Sequence, residues 1–207
     1  MDIAIPIFDG ITALDAIGPY EVLSRLPGAR VHFLGVDEPG PKRTDNRMLG
    51  LHADGALTDL PHPEVIVFPG GYGTRGLMND EGILAWVRAA HETSQWTTSV
   101  CTGALVLGAA GILNGLEATT HWLLLDKLGE LGATPVSRRV VEQGKVITAA
   151  GVSSGIDMAL TLAARMAGED VAQAIQLAIE YDPEPPFDSG STAKAAPRIV
   201  EMARERS

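Results

Sequence analysis

Apolar runs of strand length alternate along this chain with segments of helical periodicity. The runs predicted as strands are DIAIPIF (2–8), RVHFLGV (30–36), EVIVFPGG (64–71), which ends in a glycine turn, and WTTSV (96–100). A hairpin that turns at Gln143-Gly144 is predicted over 138–150. The stretch 45–58 is irregular and predicts at most a short hairpin or strand.

Apolar residues that recur every three or four positions predict the helices. They are expected at 18–26, 79–92, 120–131, 153–168 and 170–181, with one more directly after Cys101 and a short last helix beyond a Pro-rich loop at 182–191. In the first of them Pro19 is predicted to lie in the first turn, where its missing N–H costs nothing.

This alternation predicts an α/β fold, a doubly wound and mostly parallel sheet with helices on both faces. A length of 207 residues suits one domain, 1–207, and neither an internal repeat nor an interdomain linker is visible. Parallel sheets of this kind bind ligands at the carboxyl ends of their strands. The glycine turn after residue 68 and Cys101 both lie at predicted strand ends, so we expect them near each other.

Charge and cysteine content narrow the possible partners. The formal net charge is −10, so no basic stripe is expected to neutralise phosphates, and neither nucleic acid nor an anionic membrane is predicted as a partner. The single cysteine excludes an intrachain disulfide and favours a reducing compartment. The first residues, MDIAIPIFDG, do not resemble a secretory signal, and no apolar run has membrane-spanning length. We therefore expect a cytoplasmic protein.

Cys101, in SVCTGALVLG, is the first candidate for chemistry. The order strand, Cys, Thr, Gly, helix predicts a sharp turn with the thiol at a helix N-terminus, where partial positive charge lowers a thiol pKa. Gly103 would allow a ligand or another backbone segment to approach closely. The alternative is a buried cysteine that only packs, which is common for a free thiol.

Two further candidates lie at the same predicted edge of the sheet. The N–H groups of Gly70 and Gly71 in PGGYGTRG could face the N–H after Cys101 and stabilise an anion, although an ordinary glycine turn is the simpler reading. Asp15 follows the first strand, where burial would raise its pKa and let it hold or deliver a proton. Its alternative role is that of a helix-capping carboxylate.

His121 is a candidate base, or an incidental residue beside the capping threonines of the next helix. The five histidines show no metal-ligand spacing, and one cysteine is too few for a zinc-thiolate site. Metal catalysis is therefore not expected, and no cofactor is predicted.

Several stretches together resemble the ThiJ/PfpI superfamily, and within it the isonitrile hydratases. They are FDGITALDAIGPYEVL, FPGGYGTRGLM, SVCTGALVLGAAGIL, ATTHW, GVSSGIDMALTLAA and IQLAIEYDPEPPFDSGS. The resemblance implies a flavodoxin-like three-layer α/β/α sandwich, a homodimer and a cofactor-free site. Sensor domains of some AraC-type regulators carry similar stretches, but with 207 residues we do not expect their additional helix-turn-helix domain here.

Residue by residue, the resemblance implies that Cys101 is a nucleophile, Asp15 the acid near its sulfur and Thr102 the residue after the nucleophile. Gly71 matches a position that offers a backbone N–H. Peptidase-like and deglycase-like members usually have glutamate at the early acid position, and the peptidases have histidine directly after the cysteine. Asp15 and Thr102 therefore separate this chain from them.

The stretch PGGYGTRG departs from the hydratases at Tyr72, Thr74 and Arg75, which we expect to line the pocket. The implied activity is hydration of an isonitrile to an N-substituted formamide through a covalent thioimidate, with a small electrophile as the partner. The alternatives are another ThiJ/PfpI enzyme, glyoxalase- or amidase-like, and an oxidative-stress sensor whose low-pKa thiol is oxidised without turnover.

Overall fold

A computed structural model describes residues 1–205, so the last two residues of the predicted domain 1–207 lie outside the description. Seven strands form one central sheet in the order β10-β11-β7-β6-β1-β2-β5. The strands of the structure are β1 Asp2–Ile7, β2 Arg30–Gly35, β3 Gly40–Arg43, β4 Gly50–Ala53, β5 Gly55–Ala56, β6 Val65–Phe68, β7 Trp96–Val100, β8 Glu117–Ala118, β9 Thr134–Pro135, β10 Val140–Gln143 and β11 Val146–Ala149.

All pairings in the central sheet are parallel except that of β10 with β11 at one edge. The predicted α/β fold with a mostly parallel sheet is thus confirmed. The predicted hairpin turn at Gln143-Gly144 joins β10 and β11, with Gly144 at a φ of 60°. The small pairs β3-β4 and β8-β9 lie outside the main sheet.

Helices cover both faces of the sheet and complete the flavodoxin-like three-layer arrangement. They are α1 Ala13–Leu23, α2 Thr74–Leu77, α3 Glu81–Thr93, α4 Gly103–Ala109, α5 Leu125–Glu130, α6 Ser154–Ala167, α7 Glu169–Ala178 and α8 Pro197–Glu205. Helices α1 and α6 pack on each other, and α4 packs against α3 and α5. The strand residues between these layers form the apolar core; β6, for example, is buried along its whole length.

Three predicted boundaries are wrong. Helix α1 begins at Ala13, so Pro19 lies inside the helix, because the packing of α1 on α6 outweighs the lost backbone hydrogen bond. The segment predicted as one helix over 120–131 begins with a 3₁₀ turn, Trp122–Leu124, before α5. The hairpin expected near 45–58 starts earlier, with β3.

No helix within residues 1–205 is long and apolar enough to cross a bilayer.

Candidate active site

Four neighbouring strands in the sheet, β11, β7, β6 and β1, end at one edge. The segments that follow their carboxyl ends carry Val152, Cys101, the glycine turn at 70–71 and Asp15. This is the edge at which parallel sheets place their ligands. The structure therefore brings together Cys101, Asp15 and the glycine turn, as their positions at strand ends predicted.

Cys101 occupies the turn between β7 and α4. Its φ of 55° lies in the left-handed region, which a non-glycine residue adopts only when the surrounding structure holds it there. Its N–H donates to the carbonyls of Ala149 and Ala150 at 3.1 and 2.9 Å, and its carbonyl accepts from the Thr120 hydroxyl at 2.8 Å. The predicted strand–turn–helix setting is present, and the residue is only 4% exposed.

Asp15 lies in the first turn of α1 and is fully buried. Its Oδ2 accepts the N–H of Gly70 at 2.9 Å, whereas Oδ1 has no hydrogen-bond partner among residues 1–205. Burial raises the pKa of this carboxyl to about 7, although the Gly70 N–H and the nearby Cys101 thiol favour the charged form. Near neutral pH the carboxyl can therefore both accept and release a proton.

The prediction that a helix N-terminus lowers the pKa of Cys101 is wrong for this structure. Burial and then the negative charge of Asp15 raise the pKa of the thiol to about 12. The N–H groups of Val152 and Thr102 act in the opposite direction. The residue is too deeply buried, and too close to a carboxylate, for the helix end to decide its protonation. The resting pair thus keeps the thiol proton beside a carboxyl that can take it.

Thr102 and the glycine turn hold each other by hydrogen bonds. The Gly71 N–H donates to the Thr102 hydroxyl oxygen at 2.8 Å, and the Thr74 hydroxyl donates to the Gly71 carbonyl, also at 2.8 Å. Because the Gly70 N–H is bound to Asp15, both glycine N–H groups already have acceptors. The turn positions Asp15 and Thr102, and it leaves the N–H of Thr102, not those of the glycines, directed at the thiol.

Close approach explains why glycine occupies both positions of the turn. A Cβ on Gly70 would lie 2.8 Å from Asp15 Oδ2 and 2.7 Å from Thr102 Oγ1. Gly71 has a φ of 129°, and a Cβ there would collide with the Gly10 carbonyl. Any larger side chain would separate the carboxyl, the threonine and the thiol.

Val152 is a residue of the candidate site that the sequence did not reveal. It follows β11, directs its N–H towards the Cys101 sulfur and has a φ of 32°, which is unusual for a β-branched residue. At 147–156 an apolar strand is followed by GVSSG and then by a helical pattern, which is the same order as around Cys101. This order was the sequence signal that could have identified Val152.

The remaining predicted residues lie in two different places. His121 packs its ring on Gly151, and burial lowers its pKa; it lines a cavity next to Cys101. Tyr72 is 69% exposed, with the Arg75 guanidinium stacked 4.3 Å above its ring. Tyr72, Thr74 and Arg75 are all absent from the lining of that cavity, so the prediction that they line the pocket is wrong for this structure.

The cavity measures about 600 Å³. It lies between the 3₁₀ turn before α5, the loop from β11 to α6 and the C-terminal segment 182–196. Thr120, Ala150 and Val152 line it, and each of them also contacts Cys101 or lies directly beside its sulfur. Residues 1–205 contain no cluster of three or more His, Cys, Asp or Glu side chains that could hold a metal ion.

The fold and the site define a class: a flavodoxin-like α/β protein with a cysteine in a strand-to-helix turn beside a buried carboxyl. Residues 1–165 match the model of the DJ-1/PfpI family, and the chain belongs to that family.

Individual relatives carry names from more than one functional class. The chain is 45% identical over 206 residues to an isonitrile hydratase of Pseudomonas putida, covering 100% of this chain and 90% of that protein. A crystal structure of a ThiJ/PfpI family protein from Pseudomonas syringae superimposes with a TM-score of 0.94 at 34% identity, covering 99% of this chain and 85% of that one. An HTH-type transcriptional regulator of Pseudomonas aeruginosa is 29% identical over 81% of this chain, which spans 50% of the regulator.

Proposed function

We propose that this protein hydrates an isonitrile to the N-substituted formamide, with Cys101 as the nucleophile. The observation that carries the proposal is the fully buried Asp15 carboxyl beside the thiol, with one oxygen unpartnered in the described residues and a pKa of about 7. The 45% identity to an isonitrile hydratase over the whole chain supports the same reaction at the level of the family.

The first step forms a bond between sulfur and carbon. The terminal carbon of R–N≡C accepts the sulfur electron pair, and the same carbon must gain a proton. The thiol proton moves to the Asp15 carboxylate as the sulfur attacks, and from there to the carbon, giving the thioimidate R–N=CH–S–Cys101. A pKa near 7 suits a carboxyl that first takes and then gives a proton.

The second step consumes water and restores the thiol. Water adds to the C=N carbon of the thioimidate while the nitrogen is protonated. The C–S bond then breaks, the carbonyl forms and the proton returns to sulfur, so that the sum is R–NC plus water giving R–NH–CHO. The N–H groups of Val152 and Thr102, which already favour the thiolate, would stabilise the departing sulfur.

The oxidative-sensor alternative has less support. A sensor needs an accessible thiol of low pKa, whereas Cys101 is 4% exposed and its pKa is raised to about 12. A glyoxalase- or amidase-like reaction would use the same thiol, and a substrate assay separates it from hydration. The predicted homodimer and the predicted cytoplasmic location remain part of the proposal.

The test is a panel of alkyl and aryl isonitriles with formamide followed by NMR. We expect formamide from the unaltered protein, none from Cys101→Ala, and a loss of roughly 10²–10⁴-fold in kcat for Asp15→Asn. Asp126→Asn, in the exposed first turn of α5, is the matched control and should leave the rate unchanged. A Cys101→Ala variant that retains the full rate would refute the nucleophile, and no formamide from any isonitrile would refute the function.

A further inference from the structure

Two backbone N–H groups face the Cys101 sulfur, those of Thr102 and Val152. We propose that the buried hydroxyls of Thr120 and Ser154 position these N–H groups, and so set how strongly the site stabilises negative charge on the sulfur. The inference rests on the proposed function, because that charge develops when the sulfur leaves the thioimidate. It goes further, because it assigns positioning roles to two side chains that act through the backbone.

The Thr120 hydroxyl holds the peptide unit between Cys101 and Thr102. It donates to the Cys101 carbonyl at 2.8 Å, and the Ala104 N–H reaches the same carbonyl at 3.4 Å, so the hydroxyl bond is the shorter. A peptide unit is planar and trans, so its carbonyl and its N–H point in opposite directions. Fixing the Cys101 carbonyl therefore fixes the direction of the Thr102 N–H.

Ser154, at the start of α6, holds the peptide unit between Gly151 and Val152. Its hydroxyl and its own N–H both donate to the Gly151 carbonyl, each at 3.1 Å. The N–H of that unit belongs to Val152 and faces the Cys101 sulfur. Both peptide units are thus anchored in the same way, by a hydroxyl at the end opposite the N–H.

The backbone next to both peptide units adopts a conformation that its surroundings must hold in place. Cys101 has a φ of 55° and Val152 a φ of 32°, which is costly for residues other than glycine. Thr120 and Ser154 are each 1% exposed, so solvent competes little for their hydroxyls. Hydrogen bonds in a chain strengthen one another by roughly 10–30% per bond, so a hydroxyl on the carbonyl makes the N–H of that unit a better donor.

The two N–H groups matter because the rest of the site disfavours the thiolate. Burial and then the negative charge of Asp15 raise the pKa of Cys101 to about 12, and the N–H groups of Val152 and Thr102 act against them. Removing one well-placed donor from a developing anion typically costs about 10²–10³-fold in rate. A misdirected donor keeps part of its effect, so we expect a loss of roughly 10-fold without the Thr120 hydroxyl.

The experiment titrates Cys101 in the Asp15→Asn background, where no carboxylate raises the pKa of the thiol. Ultraviolet absorbance of the thiolate, minus that of the same protein with Cys101→Ala, reports on the single cysteine. Thr120→Val should form roughly tenfold less thiolate at a given pH below the pKa, because the Thr102 N–H loses its direction. Thr120→Ser keeps the hydroxyl and should restore the thiolate fraction.

Thr98 of β7 supplies the matched control. Its hydroxyl also donates to a backbone carbonyl, that of Ile66 at 2.9 Å, and the residue is fully buried. Thr98→Val removes the same kind of hydrogen bond without touching either peptide unit, so the thiolate fraction should stay within about twofold. Loss of structure would act in the opposite direction, because exposure lowers the pKa of Cys101 towards its ordinary value of 9.0.

Ser154→Ala is the second variant, and it decides the inference if Thr120→Val does not fold. The Ser154 N–H still donates to the Gly151 carbonyl, so we expect a smaller loss, roughly threefold less thiolate at a given pH. Equal thiolate fractions in Ser154→Ala and Thr98→Val would then overturn the inference. Equal fractions in Thr120→Val and Thr98→Val, or no recovery in Thr120→Ser, also overturn it.

Isonitrile turnover separates this inference from the function on which it rests. With Asp15 intact, Thr120→Val should lower kcat roughly 10-fold and keep KM within about twofold, because valine has the shape of threonine. A higher KM with unchanged kcat would overturn the positioning role. If no isonitrile is hydrated, the proposed function fails, whereas the titration of Cys101 still decides the inference because it needs no substrate.

Discussion

Replacing Asp15 with asparagine should make the fold more stable at neutral and alkaline pH while it removes activity. The carboxyl is fully buried, and its pKa rises from the ordinary value of 3.8 to about 7. The folded state therefore binds this proton more tightly than the unfolded chain does, so stability is highest when the carboxyl is protonated and falls as the pH rises through the window from about 4 to about 7.

The size of the effect follows from the rise in pKa. Each pKa unit corresponds to 1.36 kcal/mol. A rise of about three units therefore means that the Asp15 carboxyl makes the fold about 4 kcal/mol less stable at pH 8 than at pH 4. Asparagine keeps an oxygen for the Gly70 N–H and carries no charge to bury. With an m value of about 2 kcal/mol/M, the urea midpoint of Asp15→Asn at pH 8 should exceed that of the unaltered protein by about 2 M.

The assay is urea unfolding at several pH values between 4 and 8, at one protein concentration. The unaltered protein should lose stability across that range relative to Asp15→Asn, and the two should converge at pH 4. Asp126→Asn, which changes an exposed carboxyl, should follow the unaltered protein at every pH. If Asp15→Asn and the unaltered protein keep parallel stability profiles from pH 4 to 8, the carboxyl is ionised at ordinary cost and the proton-transfer role loses its basis.

Three further predictions concern the same site. The kcat/KM for an isonitrile should fall about tenfold per pH unit below pH 7, because the Asp15–Cys101 pair then takes up a second proton. A kcat/KM that stays constant down to about pH 5.5 would contradict this prediction. Thr102→Val removes the acceptor of the buried Gly71 N–H and should cost roughly 1–3 kcal/mol in urea unfolding, which Thr102→Ser should restore. Gly70→Ala places a Cβ against Asp15 and should destabilise the fold by roughly 1–3 kcal/mol in urea unfolding. Gly76→Ala, where a Cβ meets nothing within 4 Å, should leave the free energy of unfolding unchanged, and equal values for the two variants would count against the tight turn.

The fold and the placement of Cys101 were readable from the sequence because they depend on local patterns. The apolar run of β7 followed at once by Cys-Thr-Gly and a helical pattern defines the turn whatever the rest of the chain does. The alternation of such units defines the parallel sheet. Its strand ends then bring Asp15 and the glycine turn to the same edge.

The protonation of the site was not readable, because it depends on tertiary structure. Local sequence assigns Cys101 to a helix end, but only the folded chain shows that burial and Asp15 dominate its pKa. Pro19 inside α1 has the same explanation, since packing on α6 outweighs its local preference. The positive φ of Val152 cannot be predicted from the residue type, because valine rarely adopts it. The stacking of Arg75 on the Tyr72 ring at the surface depends on the direction of the glycine turn, which only the folded chain defines.

The four strands that end at the site come from widely separated parts of the chain, and this has a consequence for folding kinetics. Pairing of β11 with β7 and of β1 with β6 requires long stretches of chain to close first, which is slow compared with helix formation. Until all four strands are in place, we expect Cys101 to be a solvent-exposed thiol with no carboxyl beside it. Disappearance of thiol reactivity during refolding should therefore mark the completion of the sheet, and a chain arrested earlier would be open to alkylation and oxidation at the residue on which its proposed chemistry depends.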